Sequence, residues 1–173
     1  MSIKSSKFAS ALALALAIST LLAGGAATAA VSTGTLTATA TVLASCTIGA
    51  ATLAFGVYDP ASATSNDAQT TVSVFCTTGS NYAIYSTTPF ASRVMTTGAG
   101  GAGQVLTFGA FGSVANRTAS VQLPLTNTTG TIAGTGTGLP QNVALFGRVV
   151  AGQNVVAGAY TNATTPANLT IEY

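Results

Sequence analysis

The feature that most constrains this chain is a strict alternation of apolar residues with threonine. In Leu36-Thr37-Ala38-Thr39-Ala40-Thr41-Val42 every second residue is apolar. A period of two puts the apolar set on one face of a strand and the threonines on the other. Beyond residue 30, no stretch places apolar residues at i, i+3, i+4 and i+7 for three turns, so no long amphipathic helix is expected. Further strands are predicted at residues 71–76, 82–86, 105–108, 120–125, 143–150 and 169–173. Turn-rich segments separate them, at Asp59-Pro60 and at residues 98–103, 127–138 and 162–166. Short strands at this spacing predict an all-β fold, a sandwich or barrel, built as one domain.

Charge and composition remove most chemistry. Of 173 residues, five are Lys or Arg, three are Asp or Glu, and none is His. His-based catalytic triads and metal sites are therefore excluded. So few cations argue against a nucleic-acid surface. Asp59 and Asp67 are the one carboxylate pair to consider for glycoside hydrolysis, but they flank a loop of Pro, Ala, Ser and Thr, where a turn role is expected. A Ser nucleophile would need a Lys base, and both lysines, Lys4 and Lys7, lie at the extreme N-terminus. The run at residues 98–103 lacks the Lys of a phosphate-cradling loop. Asn116, Asn127, Asn162 and Asn168 each begin an N-x-[ST] triplet, as chance dictates in so Thr-rich a chain. A non-enzymatic protein without cofactor or metal is expected.

Residues 1–29 read as a cleaved secretory signal peptide. Lys4 and Lys7 give a positive start, residues 9–22 a short apolar run, and Ala27-Thr28-Ala29 the small residues before the cleavage point. The run is shorter than the ~20 apolar residues a membrane span needs. Removing it leaves Arg93, Arg117 and Arg148 against Asp59, Asp67 and Glu172, a formally neutral chain. Low charge gives little repulsion between copies and suits self-association. Cys46 and Cys76 fall in the exported part, where oxidising conditions favour a structural disulfide, and two cysteines allow one pairing. Closing a loop of about 30 residues stabilises by roughly 3.5 kcal/mol in the chain-entropy account.

The two ends of the exported chain each allow two readings. Seven residues of strand, from Leu36 to Val42, reach about 23 Å, enough to cross a small sheet. Leu36, Ala38, Ala40 and Val42 form either the inner face of an ordinary edge strand or an arm that adds to another subunit's sheet. Leu169, Ile171 and Tyr173 alternate to the last residue. They make either a last core strand or an exposed edge for a partner.

Longer-range motifs carry a resemblance. Cys46 followed by Leu53-Ala54-Phe55-Gly56-Val57-Tyr58-Asp59 resembles the opening of spore coat protein U domains. Val72-Ser73-Val74-Phe75-Cys76-Thr77-Thr78-Gly79 with Tyr82-Ala83-Ile84 is similar to the family's second-Cys strand. Arg93-Val94-Met95 and Leu106-Thr107-Phe108-Gly109-Ala110-Phe111 fit its middle section. Leu145-Phe146-Gly147-Arg148-Val149, Gly152-Gln153, Gly158-Ala159-Tyr160 and the final Tyr173 resemble its closing block. Asn162 stands where the family often carries Asp, and Ala163-Thr164-Thr165-Pro166 is turn-like where the family runs straight into its last strand. Pro166 would shorten that strand or put it at an edge.

The family includes pilin subunits of archaic, Csu-type chaperone–usher pili, which support attachment and biofilm formation. The resemblance implies an immunoglobulin-like β-sandwich that lacks its final strand. A periplasmic chaperone lends a strand first, and at the outer-membrane usher the next subunit's arm replaces it. Here that implies a leader at 1–29, an arm at 30–44 and a pilin domain at 45–173. Leu36, Ala38, Ala40 and Val42 would fill the groove, and Leu169, Ile171 and Tyr173 would pair with the chaperone. The partners implied are identical or related pilins, chaperone and usher, with export through the periplasm to the cell surface. The competing expectation is a self-complete secreted sandwich that binds glycan or another surface through Tyr58, Tyr82, Tyr85, Phe90, Phe108 and Phe111, or a coat protein.

Overall fold

The computed structural model describes residues 29–97 and 104–173. The expected leader, up to residue 28, and the glycine-rich run at 98–103 lie outside the described residues. The chain divides into two units, Met1–Ala40 and Thr41–Tyr173. In the first, residues 29–40 are exposed and hold no regular element. The alternating segment is thus not a paired strand: Leu36 is 95 % exposed, and Val42, just inside the second unit, 80 %. The correction has a plain cause. Alternation prepares a segment for a sheet, but a strand exists only when a neighbouring edge takes its N–H and C=O groups.

The regular structure of the second unit is almost all strand. In chain order it runs β1 (Cys46–Ile48), β2 (Asn66–Cys76), β3 (Asn81–Tyr85), β4 (Val94–Thr96), β5 (Val105–Thr107), β6 (Gly109–Phe111), helix α1 (Val114–Thr118), β7 (Ile132–Thr135), β8 (Gln141–Val149) and β9 (Thr170–Glu172). One sheet has the order β1-β2-β8-β6, a second β7-β3-β9, and β4-β5 form a ribbon. All pairs are antiparallel, and β8 pairs with β2 along its whole length, from Asn66↔Val149 to Val74↔Gln141. Val72, Val74 and Cys76 point inward from β2 to meet Tyr82 and Ile84 of β3. Ala110, Leu123 and Leu145 continue the core, and Leu106, Phe108 and Val149 close one end.

This order is that of an immunoglobulin-like sandwich. The constant-type fold lays strands A-B-E-D over C-F-G. Here β1, β2, β8 and β6 take the places of A, B, E and D, while β3 and β9 take those of C and F. The departure is β7, which follows β6 in the chain yet pairs with β3. Among the described residues β9 has a strand neighbour on one side only, and that neighbour is β3.

The strand predicted at residues 120–125 is absent. Ser120 sits at φ 59°, Pro124 has no N–H to give a ladder, and Arg93 Nη2 takes the Leu123 carbonyl at 2.7 Å. Arg93 is fully buried without a carboxylate partner. Its guanidinium also donates to the Thr88 carbonyl and the Gln122 carboxamide, and it lies 4.7 Å from the Phe90 ring centroid. Burial pushes its pKa down to about 10, so it stays charged at neutral pH. The turn predicted over residues 127–138 in fact contains β7.

A disulfide joins Cys46 to Cys76, the directly opposed residues of β1 and β2. It fastens a three-residue edge strand to the central strand of its sheet. Replacing both cysteines with serine should destabilise the domain by about 3.5 kcal/mol, read as a lower urea midpoint.

Candidate functional site

Between β1 and β2 the chain makes no sheet, yet it alternates. Ala51, Leu53 and Phe55 are half-buried, while Thr52, Ala54 and Gly56 are exposed. Ala51 and Leu53 pack with Leu169 against the core residues Ala110, Leu123 and Leu145. Phe55 packs on Phe108, with ring centroids 6.0 Å apart. Sheet-like side-chain burial without a sheet partner leaves backbone groups unspent. Among the described residues, the backbone of residues 50–58 enters one kind of hydrogen bond, the acceptance by Phe55 and Val57 carbonyls of the Asn66 Nδ2 donor, both at 2.8 Å.

The segment is pinned at each end. Gly49 N–H donates to the Ser73 carbonyl at 2.8 Å. Tyr58 donates its hydroxyl to the Val150 carbonyl and accepts from Gln153 N–H at 2.7 Å. Gln153 in turn holds β5, accepting from Thr107 N–H and donating to the Thr107 carbonyl. Gly147 of β8 lets the segment lie close: a Cβ there would meet Phe55 Cζ at 2.8 Å and Leu53 Cδ1 at 2.9 Å.

Opposite this wall, residues 155–162 run without sheet pairing except at Thr161, which bridges Thr96. Between the two walls lies a cleft of about 740 Å³ lined by Phe55, Tyr58, Met95, Leu106, Val155 and Tyr160 among others. Beyond a turn at residues 163–165 the chain leads to β9; Leu169, just before it, and Ile171 within it flank the core. The site is therefore an apolar cleft with the unpaired wall on one side and residues 155–162 on the other.

The other residues singled out from sequence disperse. Leu36, Ala38, Ala40 and Val42 are exposed. Tyr173 is 58 % exposed beside β9. Tyr82, Phe108 and Phe111 are buried, Tyr58 and Tyr85 half-buried, and Phe90 alone is exposed, stacked on buried Arg93, so these aromatics do not form one exposed platform. Asp59 accepts from Ala61 N–H at 2.9 Å within a turn. Asp67 does not flank that loop; it stands in β2, held by a two-point hydrogen bond from Arg148 at 2.7 and 2.9 Å. Arg117 Nε lies 3.3 Å from the same carboxylate. The Arg148 hydrogen bond holds the Asp67 carboxyl below its ordinary pKa. Among the described residues no group of three His, Cys, Asp or Glu gathers for a metal, and no helix is long and apolar enough to cross a membrane. Residues 53–59 were read from sequence as a family motif and not as a groove wall, and Asn66 was not singled out. The alternation Ala51, Leu53, Phe55 was a signal for the wall.

An immunoglobulin-like sandwich with an apolar cleft beside an unpaired segment is the class this geometry defines. The chain belongs to the Spore Coat Protein U domain family, whose family model matches residues 32–166. Among solved structures it is similar to a crystal structure of the CsuC–CsuE chaperone–tip adhesion subunit pre-assembly complex from archaic chaperone–usher Csu pili of Acinetobacter baumannii. That likeness has 17 % identity and a TM-score of 0.43, and covers 76 % of this chain. This chain spans 40 % of the matched one. The curated proteins contain no match.

Gly147→Val should push the 51–58 wall off β8, costing about 1–3 kcal/mol by overpacking. The measurement is thermal unfolding of the bridged domain, and an unchanged midpoint would show that the wall does not pack there.

Proposed function

We propose that this chain is a structural subunit of an extracellular pilus, assembled by chaperone–usher donor-strand exchange and supporting surface attachment and biofilm formation. The observation that carries the reading is the wall at residues 51–55, alternating like a strand but without a sheet partner among the described residues, beside an apolar cleft. An open sheet edge beside an exposed apolar groove is costly until a strand fills it. The occupant we assign is the arm of a second copy, residues 30–44. Its alternation supplies small apolar side chains, Leu36, Ala38, Ala40 and Val42, to the groove, and its backbone supplies the missing ladder.

Arm and groove are different surfaces, so the contact is head-to-tail and propagates an open fibre. Partners in this reading are identical or related pilins in the fibre, a periplasmic chaperone that holds Leu169, Ile171 and Tyr173 before assembly, and an outer-membrane usher. Residues 1–29 direct export, residues 45–173 form the pilin domain, and the fibre stands on the cell surface. Family membership and the sandwich order support this reading.

The test is an unheated, non-reducing gel of surface-sheared protein beside a boiled sample. Donor-strand exchange predicts a ladder that collapses to one band on boiling. Ala40→Asp should abolish the ladder while the bridged subunit still accumulates with its chaperone, because a buried unpaired carboxylate costs several kcal/mol. Monomer in both wild-type lanes would instead support a self-complete binding module.

A further inference from the structure

One side chain holds the backbone of the groove wall. Asn66 opens β2, where it pairs with Val149, and its carboxamide nitrogen lies 2.8 Å from both the Phe55 and the Val57 carbonyl oxygens. Two acceptors converge on one nitrogen because Gly56 between them adopts φ 68°, a left-handed conformation open to glycine. In extended backbone, alternate residues turn their N–H and C=O groups to the same edge. With Phe55 turned toward Asn66, Leu53 shares that edge, and Thr52 and Ala54 present theirs on the other.

We infer that Asn66 is the positioning residue for strand acceptance: its carboxamide fixes the lateral orientation of the wall, so that an incoming strand pairs with Thr52 and Ala54. This rests on the donor-strand reading above. Asn66 does not touch the incoming strand. It acts by spending the carbonyls that would otherwise compete for it and by stopping the wall from rotating about its own axis. Gly56 ends the ladder, since its left-handed conformation breaks the extended run.

Two substitutions separate this role from simple space-filling. Asn66→Asp keeps the shape but replaces the donor with an oxygen facing two carbonyl oxygens. Asn66→Ala removes the donor without adding repulsion. The clamp predicts the order Asn, then Ala, then Asp in the lifetime of the polymer under denaturant, with Ala losing subunits roughly tenfold faster than wild type and Asp faster still. A space-filling role predicts that Asp matches wild type and Ala is worse. Formation of the Cys46–Cys76 bridge in the chaperone-bound subunit reports folding in each variant.

If a variant fails to fold, quenched hydrogen exchange on the wild-type polymer decides. The expected pattern is protection of the Thr52 and Ala54 amides with exchange at Leu53 and Phe55. Protection on Leu53 and Phe55 instead, or a wild-type lifetime for Asn66→Asp, overturns the inference while the wild-type ladder still stands. Absence of any wild-type ladder overturns the donor-strand reading itself, and the inference with it.

Discussion

Everything in this molecule turns on where the backbone of residues 51–58 finds its hydrogen bonds. Side chains on that segment are committed: Ala51, Leu53 and Phe55 pack inward, and Gly147 is bare so that they lie close. Its main chain is not, apart from two carbonyls held by Asn66. Peptide groups beside an apolar groove can be satisfied by water only at the expense of keeping the groove wet. In the reading proposed above, a strand added along this wall would resolve both costs at once.

The rest of the fold is arranged to survive while that slot is open. β2 and β8 form a long antiparallel spine, and the disulfide fastens β1 to it at Cys76. Arg93 gathers carbonyls from Thr88 and Leu123 in the interior, adding to the backbone bonds Leu123 N–H to Ala110 and Ser86 N–H to Pro124 that hold the segment without making it a strand. Asp67 ties Arg148 of β8 and Arg117 of α1 over the outer face, with Arg117 above the Phe146 ring. Most of the few charges are thus used in bracing, and the surface left over is nearly neutral.

How much of this was legible depended on whether the signal was local. The core strands β2, β3 and β8 show in the sequence: Val72, Val74 and Cys76 of β2 alternate with outward Ser73 and Phe75, while β3 and β8 carry the short apolar runs Tyr82-Ala83-Ile84-Tyr85 and Val143-Ala144-Leu145-Phe146. β2 was read too short, since Asn66-Asp67-Ala68-Gln69 carries no strand propensity of its own and pairs because β8 lies beside it. β7 was hidden inside a Gly- and Thr-rich run. Gly134 serves there because the Tyr82 ring occupies the space of a side chain. The arm shows the converse. Its alternation is the clearest in the chain, yet within one molecule it makes no strand, because pattern states which face is apolar and not which edge receives it. The Asn66 clamp has no sequence signature, since it joins a carboxamide to carbonyls that belong to a different segment.

The most direct test of the central claim is a disulfide engineered between subunits. Cysteine at Ala54 on the wall is combined in turn with cysteine at Thr37, Thr39 or Thr41, whose side chains would share the outward face of the added strand. If the arm of one copy lies along the wall of the next, at least one combination gives a ladder that survives boiling and collapses with reductant. If all three give only boil-sensitive ladders or monomers, the arm does not occupy this groove and the account is wrong.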